Sequence, residues 1–320
     1  MARLRRVRPG RDLGYRRVRS GTGFRYVDAD GSPLPAAERD RVRALVIPPA
    51  WGDVWIAAAA NGHIQATGVD EAGRMQYLYH PDWSTRRDKG KYARALELAE
   101  RLPHARGRVT ASLRRDDLDR ERVLATAFRL LDQAAPRVGS ERYFSAHGSR
   151  GLTTLQRRDA LVDGSVTSLR FPGKSGKRQR LDGDDADLAV VVGLLAAGRP
   201  AAPLLAYVRG RRRVALTPKD VNAYVRAMTG GSFTAKDFRT LRGTILAADA
   251  LARIGPTSTK TDRKRAEVLA VRATATALGN TPAVAKSSYI DPRVFARYRR
   301  GVLLDTSISP ESAIRALLAS

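Results

Sequence analysis

The chain has 320 residues, of which 43% are hydrophobic, enough for one large domain or two ordinary domains with real cores. Lys and Arg number 58 against 32 Asp and Glu, so the formal net charge is +26. An excess of this size indicates a polyanionic partner, which we expect to be a nucleic acid. The absence of cysteine excludes disulfides, thiolate nucleophiles and Cys-based zinc sites.

Zinc-helix motifs and membrane segments are not indicated either. The spacing of the four histidines matches no zinc motif on a helix: His63, His80, His104 and His147. No apolar run approaches the roughly 18 residues of a membrane span, and the basic N-terminus lacks the apolar segment of a signal peptide. We therefore expect a soluble, cytoplasmic protein that does not associate with membranes.

Residues 1–82 have the pattern of a small β-rich domain. The segment "VWIAAAANGHIQATGVDEAGRMQYLYH" predicts strands separated by turns at Asn61-Gly62 and at Asp70 to Gly73. Alternation along the last of these strands puts Tyr77 and Tyr79 on one face and Gln76 on the other.

Residues 83–320 are predicted to form a larger, mainly helical domain that contains a β-hairpin. The segment "DDLDRERVLATAFRLLDQAA" has the apolar spacing of an amphipathic helix. The segment "SVTSLRF" alternates and "PGKSGKRQRL" turns the chain back, which predicts a hairpin with a Gly-rich, basic tip. Further helices are expected to begin at Thr217-Pro218, at Thr234 with Asp237, at Thr281-Pro282 and at Asp291-Pro292. The predicted fold is therefore α+β, with two domains.

A set of side chains in the second domain is suited to cleaving a phosphodiester without a metal. That reaction needs a protein nucleophile such as Tyr, cations around the non-bridging oxygens, and an acid for the leaving 5′ oxygen. Arg suits the second role because its planar fork grips two oxygens, and Lys suits the third if neighbouring cations lower its pKa. The candidates are Arg137, Lys174, Arg239 and Tyr289.

The segments that carry these candidates resemble the type IB DNA topoisomerases of the poxvirus and bacterial branch. They are "RVGSERY", "GLTTL", "FPGKSGK", "KDFRT" and "LGNTPAVAKSSYI", in the order expected for that family. Segments "LVIPPAWGDVWI" and "GHIQATGVDEAGRMQYLYH" of the first domain are similar to its bacterial members. The resemblance covers roughly residues 20–300.

The resemblance implies a role for each candidate. Tyr289 matches the family's nucleophile, Lys174 its general acid, and Arg137 and Arg239 its phosphate-binding arginines. Asn280 stands where the wider superfamily often has a third phosphate ligand, His; it can donate an N–H but cannot carry charge. Candidate DNA contacts are Arg74, Gln76, Tyr77 and Tyr79 in the first domain and Tyr143 and Lys236 in the second.

The family further implies a monomer that closes around double-stranded DNA as a C-shaped clamp in the bacterial nucleoid. It would relax supercoils through a 3′-phosphotyrosyl intermediate and strand rotation. Neither ATP nor a cofactor is expected, with Mg²⁺ at most stimulatory.

Two other functions remain open at this point. A tyrosine recombinase uses a similar Arg–Lys–Arg–Tyr set, but usually has His three residues before the second Arg. Here that residue is Lys236, and the β-rich first domain differs from the helical one of recombinases, so both features favour a topoisomerase. The third hypothesis is a non-enzymatic, basic DNA-binding protein in which Tyr289 is structural.

Overall fold

The computed structural model describes residues 3–71 and 73–319, with the backbone only at Arg87, Lys89 and Ser175. The chain forms two compact units, one ending at Gly90 and the other beginning at Lys91. Helices and small antiparallel sheets make up the fold, which confirms the predicted α+β class. Across the residues described, no helix combines the length and apolar character needed to cross a membrane.

The first unit is built on a five-stranded antiparallel sheet with the order β2-β1-β3-β4-β5. Its elements are β1 (Gly14–Ser20), β2 (Gly23–Val27), α1 (Ala36–Ala44), β3 (Gly52–Ala57), β4 (Ile64–Val69) and β5 (Met75–Tyr79). Helix α1 buries Val42 in a cluster with Ile47, Val54, Ile56 and Ala66, so an apolar core lies against the sheet.

The longest helix, α2 (Pro81–Leu113), extends further than its sequence suggests. Residues 86–102 have the apolar spacing of a helix that ends just before Pro103, whereas the observed helix continues through that proline. A proline inside a helix costs about 3 kcal/mol. The following turns bury Ala105, Val109 and Leu113 completely or almost so, and this burial offsets the cost.

The second unit consists mainly of helices, with a three-stranded sheet and a separate hairpin. Its helices are α3 (Arg120–Ala134), α4 (Glu141–His147), α5 (Ala186–Ala196), α6 (Pro218–Thr229), α7 (Ala235–Ile254), α8 (Lys260–Ala277), α9 (Pro282–Ser288), α10 (Arg293–Arg299) and α11 (Pro310–Ala319). Its strands are β6 (Ala160–Asp163), β7 (Val166–Pro172), β8 (Arg178–Asp184), β9 (Ala206–Arg209) and β10 (Arg212–Ala215). Strand β7 pairs antiparallel with both β6 and β8.

Aromatic packing between α3, α6 and α7 organises the core of the second unit. The ring of Phe128 on α3 meets Phe238 on α7 edge-to-face, with centroids 5.4 Å apart, and Tyr224 on α6 in the same manner at 6.3 Å. Such pairs contribute about 0.5–1.5 kcal/mol beyond their buried area. Helix α7 is thereby fixed in the middle of the unit, where its first turns form one wall of the site described next.

Candidate active site

Arg239 is the most firmly held of the predicted site residues. Helix α7 begins with the predicted cap, in which the Asp237 carboxylate accepts hydrogen bonds from the backbone N–H and the hydroxyl of Thr234, both at 2.9 Å. Arg239 is the fifth residue of this helix and is 5% exposed. Its guanidinium donates to the carbonyl oxygens of Ala135 at 2.6 Å and Leu278 at 2.8 Å. Burial lowers the pKa of Arg239, but an arginine stays charged in proteins.

Tyr289 lies against this arginine. Thr281 caps α9 through its hydroxyl and Pro282 opens the helix, as predicted, and Tyr289 ends it, with its N–H donating to the Ala285 carbonyl. The tyrosine is 7% exposed, and the Arg239 Cζ atom lies 4.8 Å from the centroid of its ring. A cation this close to a ring face is attractive, so the contact orients the phenol.

The charges around Tyr289 change its acidity. Burial alone would raise the pKa of the phenol, because a phenolate is poorly solvated inside a protein. The positive charges of Arg239, Arg137 and Lys236 outweigh burial, so the pKa of Tyr289 lies below its usual value. The phenolate, the reactive form of a tyrosine nucleophile, is therefore easier to form here than in a free tyrosine.

Helix α7 also fixes the backbone of Tyr289. The Thr244 hydroxyl shares its proton between the carbonyl oxygens of Thr240 at 2.8 Å and Tyr289 at 3.2 Å, and it accepts from the N–H of Asp291 at 3.1 Å. One residue earlier, Gly243 has no side chain where a Cβ would lie 2.7 Å from the Tyr289 carbonyl oxygen. The close approach of α7 to the tyrosine therefore requires a glycine at this position.

If the protein cleaves DNA, as the resemblance implies, replacing Gly243 with Ala should slow that reaction by at least ~10²-fold, because the added methyl group displaces the tyrosine by up to about 1 Å. Single-turnover cleavage with saturating protein measures the effect. Gly107→Ala is the matched control, since it also lies inside a helix but its Cβ would meet nothing within 4 Å. Equal cleavage rates for the two variants would contradict the steric role of Gly243.

Arg137 and Asn280 form the second part of the site. An Arg137 guanidinium nitrogen donates to Asn280 Oδ1, although 143 positions separate the two residues. The Asn280 amide nitrogen is buried and has no hydrogen-bond partner in the described part of the chain. Buried donors are nearly always paired, so this N–H is available to an acceptor that enters from outside.

The motif "GLTTL" holds the segment that carries Arg137. The N–H of Leu152 donates to the Arg137 carbonyl at 2.8 Å, and that of Thr153 to the Val138 carbonyl at 2.9 Å. A Cβ at Gly151 would lie 2.6 Å from the Arg137 carbonyl oxygen. The motifs "RVGSERY" and "GLTTL" are therefore in tight contact through their backbones.

Lys174 lies at the tip of the β7–β8 hairpin, as predicted, in a single helical turn (Lys174–Gly176). Its side chain is exposed, and it makes no hydrogen bond or ion pair within the described residues. Together with Arg137 and Arg239 it lines a narrow cleft, whose other polar residues include Arg150 and Gln179. Three of the predicted cationic residues therefore lie at one cleft, and Tyr289 packs against Arg239, one of these three.

The predicted DNA contacts of the first unit lie on and beside β5. Arg74 Nε and Gln76 Nε2 both donate to the Asp70 carboxylate, at 2.8 and 2.7 Å. The Arg74 hydrogen bond, with the other donors, lowers the pKa of Asp70 to about 2. The rings of Tyr77 and Tyr79 stack on one face at 5.9 Å, as alternation predicts, and Tyr77 is 45% exposed.

The two predicted DNA contacts of the second unit are exposed. Tyr143 lies on α4, with its ring 6.3 Å from that of His147. Lys236 lies in the first turn of α7, and its charge helps to lower the pKa of Tyr289. It thus acts electrostatically on the predicted nucleophile.

Four residues of the site were missed by sequence reasoning: Arg150, Gln179, Gly243 and Thr244. An isolated glycine inside a helical pattern is a recognised sign of a packing constraint, so Gly243 could have been found. Arg150 is one of many arginines, and its ion pair with Asp159 at 2.7 Å is visible only in the fold.

Comparison with known proteins agrees with this arrangement. Residues 80–300 match the family model described as eukaryotic DNA topoisomerase I, catalytic core. Residues 23–70 match the model of the bacterial DNA topoisomerase IB N-terminal domain. Since the first model spans well over half of the chain, the protein belongs to the type IB DNA topoisomerase family, whose members are enzymes that act on DNA.

Two relatives are similar over long stretches. A DNA topoisomerase 1B of Acanthamoeba polyphaga mimivirus is 28% identical over 289 residues, which cover 87% of this chain and 85% of the viral protein. A protein named dITP/XTP pyrophosphatase, from Anaeromyxobacter dehalogenans strain 2CP-C, is 29% identical over 181 residues. That second match covers 55% of this chain and 72% of the relative, so it extends over much less of this sequence.

Proposed function

We propose that this protein relaxes supercoiled double-stranded DNA by cutting and resealing one strand, acting as a monomer. The observation that carries the proposal is the buried Tyr289 with the Arg239 Cζ atom 4.8 Å from its ring, and the lowered pKa of the phenol agrees with it. The cleft formed by Arg137, Lys174 and Arg239 supports it. A tyrosine with only a packing role needs neither of these features.

In the cleavage step, the phenol of Tyr289 gives its proton to water, and its oxygen attacks a phosphorus of one strand. A bond forms between the Tyr289 oxygen and the phosphorus, and the bond from phosphorus to the 5′ oxygen breaks. Lys174 gives a proton to that oxygen as it leaves. The product is a 3′-phosphotyrosyl link and a free 5′ hydroxyl.

The negative charge of the pentavalent transition state is balanced by fixed donors. Arg239 is already anchored by two carbonyl groups, so little reorganisation is needed when the phosphate arrives. Arg137 and the buried Asn280 amide nitrogen, which has no partner among the described residues, supply further hydrogen bonds. Because Asn280 carries no charge, the two arginines balance more of the negative charge than they would beside a histidine.

Relaxation follows from rotation of the free 5′ end, after which the 5′ hydroxyl attacks the phosphotyrosine and reseals the strand. One phosphate ester replaces another in each direction, so the reaction is near balance and needs no ATP. The nucleophile, the acid and the phosphate ligands are all side chains, and we expect no cofactor and at most a stimulatory effect of Mg²⁺.

The rest of the chain supplies affinity for the duplex. A net charge of +26 favours many phosphate contacts, so binding should weaken steeply as salt rises. Arg74, Gln76, Tyr77 and Tyr79 on the first unit, and Tyr143 and Lys236 on the second, are the proposed contacts. A bacterial cell offers such a duplex in the nucleoid, where we expect the protein to act.

Trapping the covalent intermediate tests the proposal most directly. Duplex DNA labelled at one end is mixed with the protein in excess EDTA without ATP, and the reaction is stopped with denaturant. A 3′-phosphotyrosyl link joins the protein to the fragment that carries the 5′ end of the cut strand. We therefore expect labelled protein when the label is at that 5′ end and none when it is at the 3′ end. The modified peptide should contain Tyr289. Binding without any adduct would instead identify a non-enzymatic DNA-binding protein.

Lys174→Ala is expected to slow cleavage by at least ~10²-fold, because the 5′ oxygen then leaves without a proton donor. A substrate with sulfur in place of that bridging oxygen has a better leaving group and should restore the rate. Single-turnover cleavage of the two substrates measures both effects. If Lys174→Ala cleaved both substrates equally slowly relative to the unaltered protein, Lys174 would not be the general acid.

A further inference from the structure

Gln179 occupies a distinctive position in the β7–β8 hairpin. Residues of β8 alternate, so that Arg178 and Arg180 point outward and Gln179 lies on the inner face, half-buried. Its cross-strand partner is Phe171, which is 6% exposed. It is therefore the first inner-face residue of β8 after the tip that carries Lys174.

The Gln179 side chain lies between two glycines that belong to different parts of the site. One is Gly173, which directly precedes Lys174, where a Cβ would lie 2.6 Å from Gln179 Cγ. The other is Gly279, which directly precedes Asn280, where a Cβ would lie 1.9 Å from Gln179 Oε1. At both positions, the Cβ atom of any other residue would overlap the Gln179 side chain in its present conformation.

Backbone conformation does not account for the glycine beside Lys174. Gly279 has a φ of +61°, which favours glycine for its own sake. Gly173 has a φ of −88°, which other residues adopt readily. The absence of a side chain there is explained by the contact with Gln179.

Shape, more than hydrogen bonding, holds the Gln179 amide. Its nitrogen donates only at 3.4 Å, to the carbonyls of Lys177 and Arg178, and its oxygen accepts no hydrogen bond from any residue that the structure describes. Lys174 also has no polar partner among these residues, so the hairpin backbone sets its location. The Gln179 side chain packs between the hairpin and the turn at Gly279, as a wedge, and so fixes the hairpin backbone relative to Asn280.

We infer that Gln179 is a positioning residue, which sets the distance between Lys174 and the bound phosphate by wedging the hairpin against the turn before Asn280. This inference rests on the proposed role of Lys174 as the acid. Loss of the wedge lets the hairpin shift, and a displacement of about 1 Å is enough to slow a proton transfer by ~10²-fold.

The test compares Gln179→Ala with Gln179→Met, which keeps the length of the side chain but removes the amide. At protein concentrations that saturate the DNA, we expect Gln179→Ala to cleave at least ~10-fold more slowly than the unaltered protein, and Gln179→Met within ~3-fold of it. Arg180→Ala, on the outer face of the same strand, is the matched control and should cleave normally. Thermal melting confirms that each variant is folded.

The 5′-bridging sulfur substrate separates positioning from a structural role. If Gln179 acts through Lys174, the defect of Gln179→Ala should largely disappear on this substrate, as for Lys174→Ala. A Gln179→Ala defect that persists while Lys174→Ala is rescued would overturn the wedge and leave the proposed function intact. Failure to rescue Lys174→Ala would instead refute the acid role, and with it the proposed function as written.

A double variant checks the contact itself. Gly173→Ala introduces a clash with Gln179 and should slow cleavage, without strain in its own backbone. Because Gln179→Ala removes the other side of that clash, the double variant should be no slower than Gln179→Ala alone. Additive defects would show that the two residues act independently and would contradict the wedge.

Discussion

Tyr289→Phe is expected to abolish relaxation of supercoiled plasmid while leaving DNA binding unchanged. The substitution removes only the phenolic oxygen, the proposed nucleophile, and the ring keeps its packing against Arg239. Plasmid relaxation followed on agarose gels, with DNA binding measured by titration, reports the two properties separately. No covalent adduct should form with this variant.

Tyr298→Phe is the matched control for this experiment. Tyr298 is 4% exposed and its hydroxyl donates to the Gly255 carbonyl at 2.9 Å, so it is as buried as Tyr289 but lies outside the site. Its loss costs about one hydrogen bond of stability, roughly 0.5–1.5 kcal/mol, and relaxation should persist. Full relaxation by Tyr289→Phe would exclude Tyr289 as the nucleophile.

Arg239→Gln has the second-largest expected effect, a decrease of ~10²–10³-fold in the single-turnover cleavage rate. That is the usual effect of removing one preorganised donor from a developing negative charge. Arg239→Lys should recover only part of the rate, because a lysine keeps the charge but lacks the planar fork that reaches both Ala135 and Leu278. Arg253→Gln, at the exposed end of the same helix, should cleave normally.

The pH dependence of the same variant gives an independent prediction. The charge of Arg239 lowers the pKa of Tyr289, whereas burial raises it, so removal of Arg239 moves this pKa upward. A nucleophile that reacts as phenolate is more abundant as pH rises toward its pKa. The rising limb of the rate against pH should therefore lie at higher pH for Arg239→Gln than for the unaltered protein. Identical limbs would show that Tyr289 does not react as the free phenolate.

Local sequence signals account for the helix starts and the hairpin. The caps of α6, α7 and α9 depend on a Thr and residues within three positions of it, so they were predicted correctly from Thr217, Thr234 and Thr281. The tip that carries Lys174 depends on nearby glycines in the same way. Helix α10 begins one residue later than expected, with Pro292 as its cap, although Asp291 still accepts from the Arg293 N–H.

Long-range packing accounts for what was missed. The continuation of α2 through Pro103 depends on burial of its later turns, which a local pattern does not report. Gly243 and Gln179 likewise have meaning only when another segment lies against them. The short β9–β10 hairpin was also not predicted, since its four-residue strands are too short for alternation to be distinctive.

The amino-acid sequence was sufficient to predict the net charge, the α+β class, the family and the identity of each candidate side chain. These properties depend on composition and on motifs of a few residues. The lowered pKa of Tyr289, the lack of a described partner for the Asn280 amide nitrogen and the wedge at Gln179 depend on contacts between distant segments, such as Arg137 and Asn280, which are 143 positions apart. Such contacts exist only after folding, because burial and the distances between charges are properties of the packed chain.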